Sequence, residues 1–254
     1  MRDILHAVAA GELSPEAAEA TLSGYATTEA GRFDAAREDR SGVPEAVLAA
    51  GKTTAETATL AKTSLETTDR AIVTRLPDAS ALIEAIEEVD PAAEIQRNER
   101  AQTLVAHRPA FEPPELEASV GVVTAGTADA LPAGEAAIVA GEMGATVEQI
   151  DDVGVAALTR LTDRLPDLRE HDVLLVVAGR EGALPTVVAG LVDVPVIGVP
   201  ASVGYGYGGQ GEAALAGMCQ SCTALTLVNV DAGFTAGAQA GLIAKQLNEA
   251  RTDG

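Results

Sequence analysis

The chain has 254 residues, which is enough for one large domain or for a full domain with a smaller companion. Its 38 acidic and 17 basic residues give a formal net charge of -21. Such a surface repels nucleic-acid phosphates and anionic lipid headgroups, so nucleic acid and membrane surfaces are excluded as partners. Only three of the basic residues are Lys, which in so acidic a chain indicates adaptation to high salt.

Cysteine content and the first residues indicate a soluble, cytoplasmic protein. Two Cys are too few for a disulfide framework, as expected in a reducing compartment. Residues 1–6 lack the apolar region of a secretory signal, and no stretch reaches the ~20 uninterrupted apolar residues of a membrane span. Aromatic residues make up 2% of the chain, so the core is expected to be aliphatic, as in helix-covered parallel sheets.

Residues 1–110 are predicted to form a small α/β domain with a helical start. Ser14 and Pro15 are typical of the beginning of a helix. The polar segment 24–40 is expected to be an extended connection. Proline-rich residues 107–115 indicate a linker. Helices are further predicted over 44–50, 54–64 and 79–88, and strands over 71–74 and 101–105.

Residues 117–254 alternate regularly between apolar strands and helical patterns. Such alternation is typical of βαβ units and predicts a three-layer domain with a central parallel sheet. The strands are predicted over 119–124, 146–149, 173–178, 194–199 and 225–230. The helices are predicted over 131–143, 154–162, 183–191, 211–219 and 235–250.

Ligands of parallel sheets bind at the carboxyl ends of the strands, so the residues after each strand are the candidate site. Thr127 and Asp129 follow the first strand and could hold a phosphate and a ribose hydroxyl, or merely cap the next helix. Glu181 lies between two glycines after the third strand, where it is either a positioned base or a solvated turn residue. Glycine-rich residues 204–211 favour contact with a ligand. Polar residues 229–231 follow the last strand.

Cys219 and Cys222 have the spacing of a CxxC motif but end a predicted helix instead of beginning one. The helix dipole therefore does not lower a thiol pKa there, and the three His show no metal-ligand spacing, so redox and zinc functions are disfavoured. One Cys acting as a nucleophile and two small apolar residues remain as alternatives.

The C-terminal half resembles the AIR carboxylase (PurE-like) fold, which is flavodoxin-like. The resemblance lies in the Gly-Thr-Ala-Asp turn at 126–129 and the loops at 178–185 and 194–200. The catalytic His-Arg turn of that family would fall at 150–156, which contains no His. Purine carboxylation is therefore disfavoured.

Nearly the whole chain is similar to the LarB family, the pyridinium-3,5-biscarboxylic acid mononucleotide synthases. The matching motifs lie at 152–156, 181–185, 202–206, 221–222 and 229–234, and in the first half at 33–34, 37, 40–45 and 51–53. The resemblance implies that nicotinic acid adenine dinucleotide is carboxylated with CO2 on its pyridinium ring. It also implies that the phosphoanhydride is hydrolysed to release AMP, as the start of nickel-pincer cofactor synthesis.

By the same resemblance, Cys222 is the nucleophile and Glu181 the base. An octamer with sites at subunit contacts is implied; no metal ligand or resident cofactor is, although Mg²⁺ is left open as an aid to hydrolysis. An AIR carboxylase or mutase, or a non-catalytic nucleotide-binding module, are the alternative functions. The expected substrate-binding residues are Thr127, Asp129, Asp152, Ser202, Gly204, Tyr205, Gly206, Asn229 and Asp231, together with Arg37, Arg40 and Lys52, for which surface ion pairs are an equal alternative.

Overall fold

The computed structural model describes residues 2–204 and 206–252. The chain forms two compact units, Met1–Glu112 and Pro113–Gly254. Both are mixtures of helices and strands, which confirms the predicted fold class. Within the described ranges, no helix is both long and apolar enough to cross a membrane.

The N-terminal unit contains a hairpin and a four-stranded sheet. Its helices are α1 (Arg2–Ala10), α2 (Pro15–Ser23), α3 (Arg37–Ser41), α4 (Thr54–Thr68) and α5 (Ser80–Val89). Its strands are β1 (Ala26–Thr28), β2 (Gly31–Phe33), β3 (Val47–Leu48), β4 (Arg70–Thr74), β5 (Glu94–Asn98) and β6 (Thr103–His107). Strands β1 and β2 form the hairpin, and the sheet has the order β3-β4-β6-β5.

Two predictions for this unit are wrong. Segment 24–40 is not an extended connection, because it contains the hairpin and α3. Segment 44–50 is not a helix, because Val47 and Leu48 pair in parallel with Val73 and Thr74 of β4. In addition, strand β5 was not predicted. That strand lies at the sheet edge and is mostly exposed, so its side chains lack the apolar alternation of a half-buried strand.

The C-terminal unit is a five-stranded, fully parallel sheet in the order β11-β10-β9-β7-β8. Its strands are β7 (Ser119–Thr124), β8 (Thr146–Ile150), β9 (Val173–Ala178), β10 (Val196–Pro200) and β11 (Thr226–Leu227). Its helices are α6 (Ala130–Glu142), α7 (Leu158–Thr162), α8 (Leu165–Leu168), α9 (Ala183–Ala189), α10 (Glu212–Cys219) and α11 (Gly233–Thr252).

Two aliphatic cores, one on each face of this sheet, make the unit three-layered. Small residues of α6 and α11 pack against Val120, Val122 and Val173 on one face. Larger side chains of α7 to α10 pack against Leu174 and Val176 on the other. All six residues of β9 are buried, as its uninterrupted apolar sequence predicts.

Deviations from the predicted elements of this unit fall at its periphery. The helix predicted over 154–162 begins as a 3-10 turn at Val155–Ala157 before α7. The helix α8 was not predicted. The edge strand β11 forms only two paired residues, so the predicted strand over 225–230 is mostly irregular backbone.

Candidate functional site

A cavity of about 540 Å³ lies at the carboxyl edge of the parallel sheet. Its walls come from the segments that follow β7, β8, β9 and β10, so four strand ends meet there, as the order of a doubly wound sheet requires. The lining residues are Ala125, Gly126, Ala128, Asp129, Gly154, Val155, Ala156, Arg160, Ala178, Gly179, Arg180, Glu181, Ala183, Leu184, Val203 and Gly204.

Side chains tie neighbouring strand ends together around this cavity. The Thr124 hydroxyl donates to Oδ1 of Asp151 at 2.8 Å, which joins the ends of β7 and β8. Farther along the sheet, Ser202 N–H donates to Oδ1 of Asp231 at 2.8 Å, which joins the ends of β10 and β11. The cavity walls are therefore held by fixed contacts instead of by free loops.

Glycine is required where two of these walls touch. A Cβ built on Gly179 would lie 2.4 Å from the carbonyl oxygen of Val203, and one built on Gly154 would lie 2.6 Å from that of Ala125. Backbone atoms cannot move aside as a flexible side chain can. Any larger residue at these positions would therefore push the cavity walls apart.

Asp129 is a nearly buried carboxyl in the cavity wall, with 5% of its surface exposed. Burial raises its pKa above the ordinary value, while backbone N–H groups of Gly126, Ala125 and Gly179 oppose that rise. The bond from Gly126 measures 2.9 Å. Because Gly126 follows β7 and Gly179 follows β9, Asp129 clamps these two strand ends. This contact supports the capping interpretation of Asp129, and binding of a ribose hydroxyl by Asp129 stays a prediction.

Besides Asp129, Glu181 and two arginines are the ionisable residues that line the cavity. Glu181 and Arg180 follow β9 directly, and Arg180 has a positive φ of 53°. Arg160 extends from α7 and pairs with Asp152, Nη1 to Oδ1, at 2.7 Å, while 42% of its side chain stays exposed. Two residues with carboxyl groups, Asp129 and Glu181, and two arginines thus line a space whose remaining lining is mostly small and apolar.

Cys222 is exposed and is not among the residues of its own chain that line the cavity. It precedes β11, so it lies at the amino end of a sheet whose carboxyl ends form the cavity. Its neighbour Thr223 packs near Gly190, just after the end of α9, whereas Glu181 lies just before α9 begins. The seven residues of α9 span about 10 Å, which sets the scale of the separation between Glu181 and Cys222.

The remaining expected residues of this unit differ in their relation to the cavity. Gly204 lines the cavity together with Asp129 and Glu181, whereas Tyr205 lies outside the described residues. Asp152 pairs with Arg160 of the cavity wall, whereas Asp231 accepts a hydrogen bond from Ser202, which precedes the wall residue Val203. The other expected residues of this unit lie on the strand-end loops without lining the cavity: Thr127, Gly206 and Asn229.

The three cations expected in the N-terminal unit each have a local partner. Arg37 pairs with Glu45 at 3.0 Å and Arg40 with Asp34 at 2.5 Å. The Lys52 ammonium donates to the carbonyl oxygen of Leu48 at 2.7 Å. These contacts support the ion-pair alternative, and phosphate binding by these residues stays a prediction.

Within residues 2–204 and 206–252, no three His, Cys, Asp or Glu residues cluster in a way that could hold a metal ion.

Comparisons with known proteins identify the family. Residues 25–108 match the family model of the LarB/PurE-like N-terminal domain, and residues 119–253 match that of AIR carboxylase. The chain belongs to the LarB family. The LarB-type chain is also 37% identical over 256 residues to "Uncharacterized protein MJ0165" of Methanocaldococcus jannaschii, with 98% of each chain covered. The resemblance seen in the motifs is thereby confirmed, and membership indicates carboxylase-type chemistry.

Sequence reasoning missed Arg160 and Arg180 of this LarB-family site. Arg180 could have been predicted as a site residue, because basic residues are scarce in a chain with 17 basic and 38 acidic residues, and this one closely follows a buried strand. Arg160 had no comparable signal. It lies ten residues after β8, and only the turn of the chain through Val155–Ala157 brings it back to the strand ends.

Proposed function

We propose that this LarB-family protein carboxylates the pyridinium ring of nicotinic acid adenine dinucleotide with CO2. In the same proposal it hydrolyses the phosphoanhydride of that dinucleotide, giving pyridinium-3,5-biscarboxylic acid mononucleotide and AMP. The product would enter nickel-pincer cofactor biosynthesis. Glu181 is the base and Cys222 the nucleophile.

The observation that carries this proposal is Glu181 beside Arg180 in the wall of the 540 Å³ cavity. The volume falls within the range of small-molecule sites. A pyridinium mononucleotide combines a cationic ring with anionic carboxylate and phosphate groups. A carboxylate and two guanidinium groups against a small apolar lining offer complementary charge for each part.

The atoms and electrons of the carboxylation step balance without an oxidant. The Cys222 thiolate adds to an electrophilic ring carbon, which converts the ring into an enamine, and the neighbouring carbon then attacks CO2 to form the new carboxylate. Glu181 removes the proton from that carbon, the electron pair returns to the ring, and the thiolate leaves. The net change replaces one ring C–H by C–COO⁻ and releases one proton.

Hydrolysis needs only water as a further reactant. Attack of water on the phosphoanhydride breaks one P–O bond and yields the mononucleotide phosphate and AMP. Arg180 and Arg160 are suited to neutralise the charge that develops on the phosphate oxygens.

Two substrate incubations and one binding measurement test the proposal. Nicotinic acid adenine dinucleotide with bicarbonate should give AMP and a dicarboxylated mononucleotide in equal amounts by liquid chromatography and mass spectrometry. Turnover of aminoimidazole ribotide alone would instead identify an AIR carboxylase, the activity for which the C-terminal family model is named. Binding of the dinucleotide without turnover would identify a nucleotide-binding module.

Paired cysteine variants assign the nucleophile. Cys219 and Cys222 are both exposed and lie three residues apart, so each is a matched control for the other. We expect Cys222→Ala to reduce carboxylation by at least about 10³-fold, a loss typical of a removed nucleophile. Cys219→Ala should retain full activity. An inactive Cys219→Ala beside an active Cys222→Ala would show that the nucleophile is assigned to the wrong thiol.

We further propose that the active form is a homo-oligomer, an octamer by resemblance to AIR carboxylases. The separation between Glu181 and Cys222 along α9 supports this. Reacting atoms must approach to about 3–3.5 Å, and a base and a nucleophile on neighbouring ring carbons cannot stand a helix length apart. The thiolate at one cavity is therefore supplied by another copy of the chain.

A further inference from the structure

Cys219 and Cys222 are the only two cysteines of the chain, and both are exposed, free thiols. Unpaired cysteine is among the most frequently buried residue types, because it packs like a small apolar side chain. Burial in the core therefore accounts for neither residue. Cys222 has a place in the proposed reaction, whereas the exposed thiol of Cys219 has none.

The chain turns between the two thiols. Helix α10 ends at Cys219, and beyond it Ser221 N–H donates to Met218 C=O at 3.1 Å. The hydroxyls of Ser221 and Thr223 lie 2.7 Å apart, and Thr223 N–H donates to the Ser221 hydroxyl at 3.2 Å. Cys222 therefore lies in a hydrogen-bonded turn directly after the helix that ends at Cys219.

A disulfide between these two residues requires only a short approach. Three residue steps span at most about 10 Å when a chain is extended. The turn shortens that span toward the ~4.4–6.8 Å that separates the Cα atoms of a disulfide. Two thiols tethered in this way also meet at an effective concentration that a free thiol in solution does not reach. Each thiol therefore reacts with its neighbour in preference to keeping a small-molecule adduct.

The position at the end of α10 determines which redox chemistry suits the pair. Strongly oxidising CxxC sites stabilise their reduced form, with the thiolate at the positive N-terminus of a helix. Cys219 lies instead at the C-terminal end of α10, where the helix dipole does not favour an anion. The pair is therefore a poor oxidant of other proteins, and its disulfide persists until a reductant removes it. Such persistence suits a regulatory disulfide instead of a catalytic one.

We propose that Cys219 and Cys222 form a reversible intrachain disulfide that stops the reaction under oxidising conditions, with a low-molecular-weight disulfide as the oxidant. The Cys222 thiolate attacks the small disulfide, forms a mixed disulfide and expels one thiolate. The Cys219 thiolate then attacks the Cys222 sulfur and expels the second. The two cysteines lose two electrons and two protons, and the small disulfide takes them up to become two thiols.

The two parts of this inference have different foundations. Loss of carboxylation rests on the proposed function, in which Cys222 is the nucleophile. Formation of the disulfide rests on the two exposed thiols and the turn between them alone.

Thiol counts on the full-length protein test the disulfide without reference to activity. After incubation with glutathione disulfide, we expect the original protein to lose both reactive thiols. Its mass should fall by that of two hydrogen atoms, with no glutathione attached. Cys219→Ala and Cys222→Ala are matched controls, since each keeps one exposed thiol and should keep a glutathione adduct. Stable adducts on the original protein, unreacted thiols, or chains linked in pairs on non-reducing electrophoresis would overturn the intrachain disulfide.

Activity in glutathione buffers of rising disulfide-to-thiol ratio tests the loss of carboxylation. We expect the original protein to become inactive at a ratio at least about tenfold lower than Cys219→Ala, because only the original can complete the intrachain step. Excess dithiothreitol should restore its activity. Inactivation of both proteins at the same ratio would show that Cys219 has no part in the response.

The outcomes separate this disulfide from the proposed function. If nicotinic acid adenine dinucleotide is not turned over, the proposed function fails, and the thiol counts still decide whether the disulfide forms. If the disulfide forms and turnover continues, the regulatory role fails together with the assignment of Cys222 as nucleophile, while the carboxylase function stands. Turnover that disappears as the disulfide forms and returns on reduction supports both.

Discussion

Burial and backbone hydrogen bonds act in opposite directions on the pKa of the Asp129 carboxyl group. Burial raises its pKa, and three backbone N–H groups that favour the ionised form reduce the rise without cancelling it. The folded protein therefore binds the Asp129 proton more tightly than the unfolded chain does. Such a group contributes its full stabilisation at a pH below the unfolded pKa of about 3.9, and that contribution is lost as the pH rises through the folded pKa.

The Asp129→Asn variant should show this pH dependence by comparison. Asn keeps an acceptor oxygen for Gly126 N–H but does not titrate, so the other carboxyl groups of the chain cancel in the difference between the two proteins. From pH 4 upward, we expect the free energy of unfolding of the original protein to fall relative to that of Asp129→Asn. Urea unfolding at pH 4, 5.5 and 7, within the range in which both stay folded, measures the difference. A difference that stays constant with pH would contradict the raised pKa.

Site residues could be predicted from the sequence where they directly follow a recognisable strand. Contacts between residues that follow two different strands could not be predicted. Asp129, Glu181 and Gly204 each follow a recognisable strand, and all line the cavity. The clamp from Asp129 to Gly179 joins segments 50 residues apart, and the pairing of Arg160 with Asp152 depends on a turn without apolar periodicity. Neither contact can be recognised from the residues next to it in the sequence.

Helix α11 packs on α6 through glycines spaced four residues apart. Gly233, Gly237 and Gly241 place no side chain between the helices, and a Cβ on Gly237 would lie 2.4 Å from the carbonyl oxygen of Ala136. Residues four apart share one helix face, so these glycines form a groove that the backbone of α6 enters. Close packing of small residues thus supplies the core on this face of the sheet, where large side chains are few.

Replacing two glycines by alanine, one at a time, should change the free energy of unfolding in opposite directions. Gly237→Ala forces the helices apart, and overpacking of this kind costs about 1–3 kcal/mol. Gly141→Ala on α6 is the matched control, because its Cβ would meet Val147 Cγ2 at an ordinary 3.9 Å. There the gain in helix propensity should stabilise the protein by up to about 1 kcal/mol. Urea unfolding compares the two; destabilisation of similar size in both would show that the groove does not set the packing.

The elements most faithfully predicted are those whose burial is complete. Strand β9 is apolar throughout and buried throughout, and its bounds agree with the prediction. Strand β3 was not predicted because its two residues are too few to show a strand pattern, and they take their conformation from pairing with β4. Strand β5 was not predicted because it lies at the edge of the sheet and most of its side chains face solvent. Local patterns predict elements that the core requires, whereas pairing at sheet edges is decided by contacts distant in sequence.

The direction of the parallel sheet supports our proposal that more than one copy of the chain takes part in the reaction. In a fully parallel sheet every strand end is at one edge and every strand start at the other. Glu181 follows β9, and Cys222 precedes β11, so in one chain they belong to opposite edges. A closed oligomer can bring the starting edge of one subunit to the cavity of another through repeated contacts. Each cavity would then combine Glu181 of one subunit with the thiol of a neighbour.

Mixed oligomers test whether the two residues act in trans. Glu181→Gln and Cys222→Ala chains carrying different affinity tags are co-expressed, and oligomers containing both are isolated by sequential purification. Each variant alone should be inactive. Random mixing should restore about a quarter of the original activity, because that share of sites pairs an intact Glu181 with an intact Cys222 across a subunit contact.

The matched control mixes the original chain with the Glu181→Gln/Cys222→Ala double variant in equal amounts. Residues acting in trans should again give about a quarter of full activity, since both neighbours must be intact, whereas residues acting within one chain should give about half. Single-variant mixtures that stay inactive, beside a control at half activity, would place both residues in one chain and require Cys222 to move about 10 Å toward Glu181 during catalysis. Because the two arrangements predict different values in both mixtures, the result identifies the subunit that supplies the thiol.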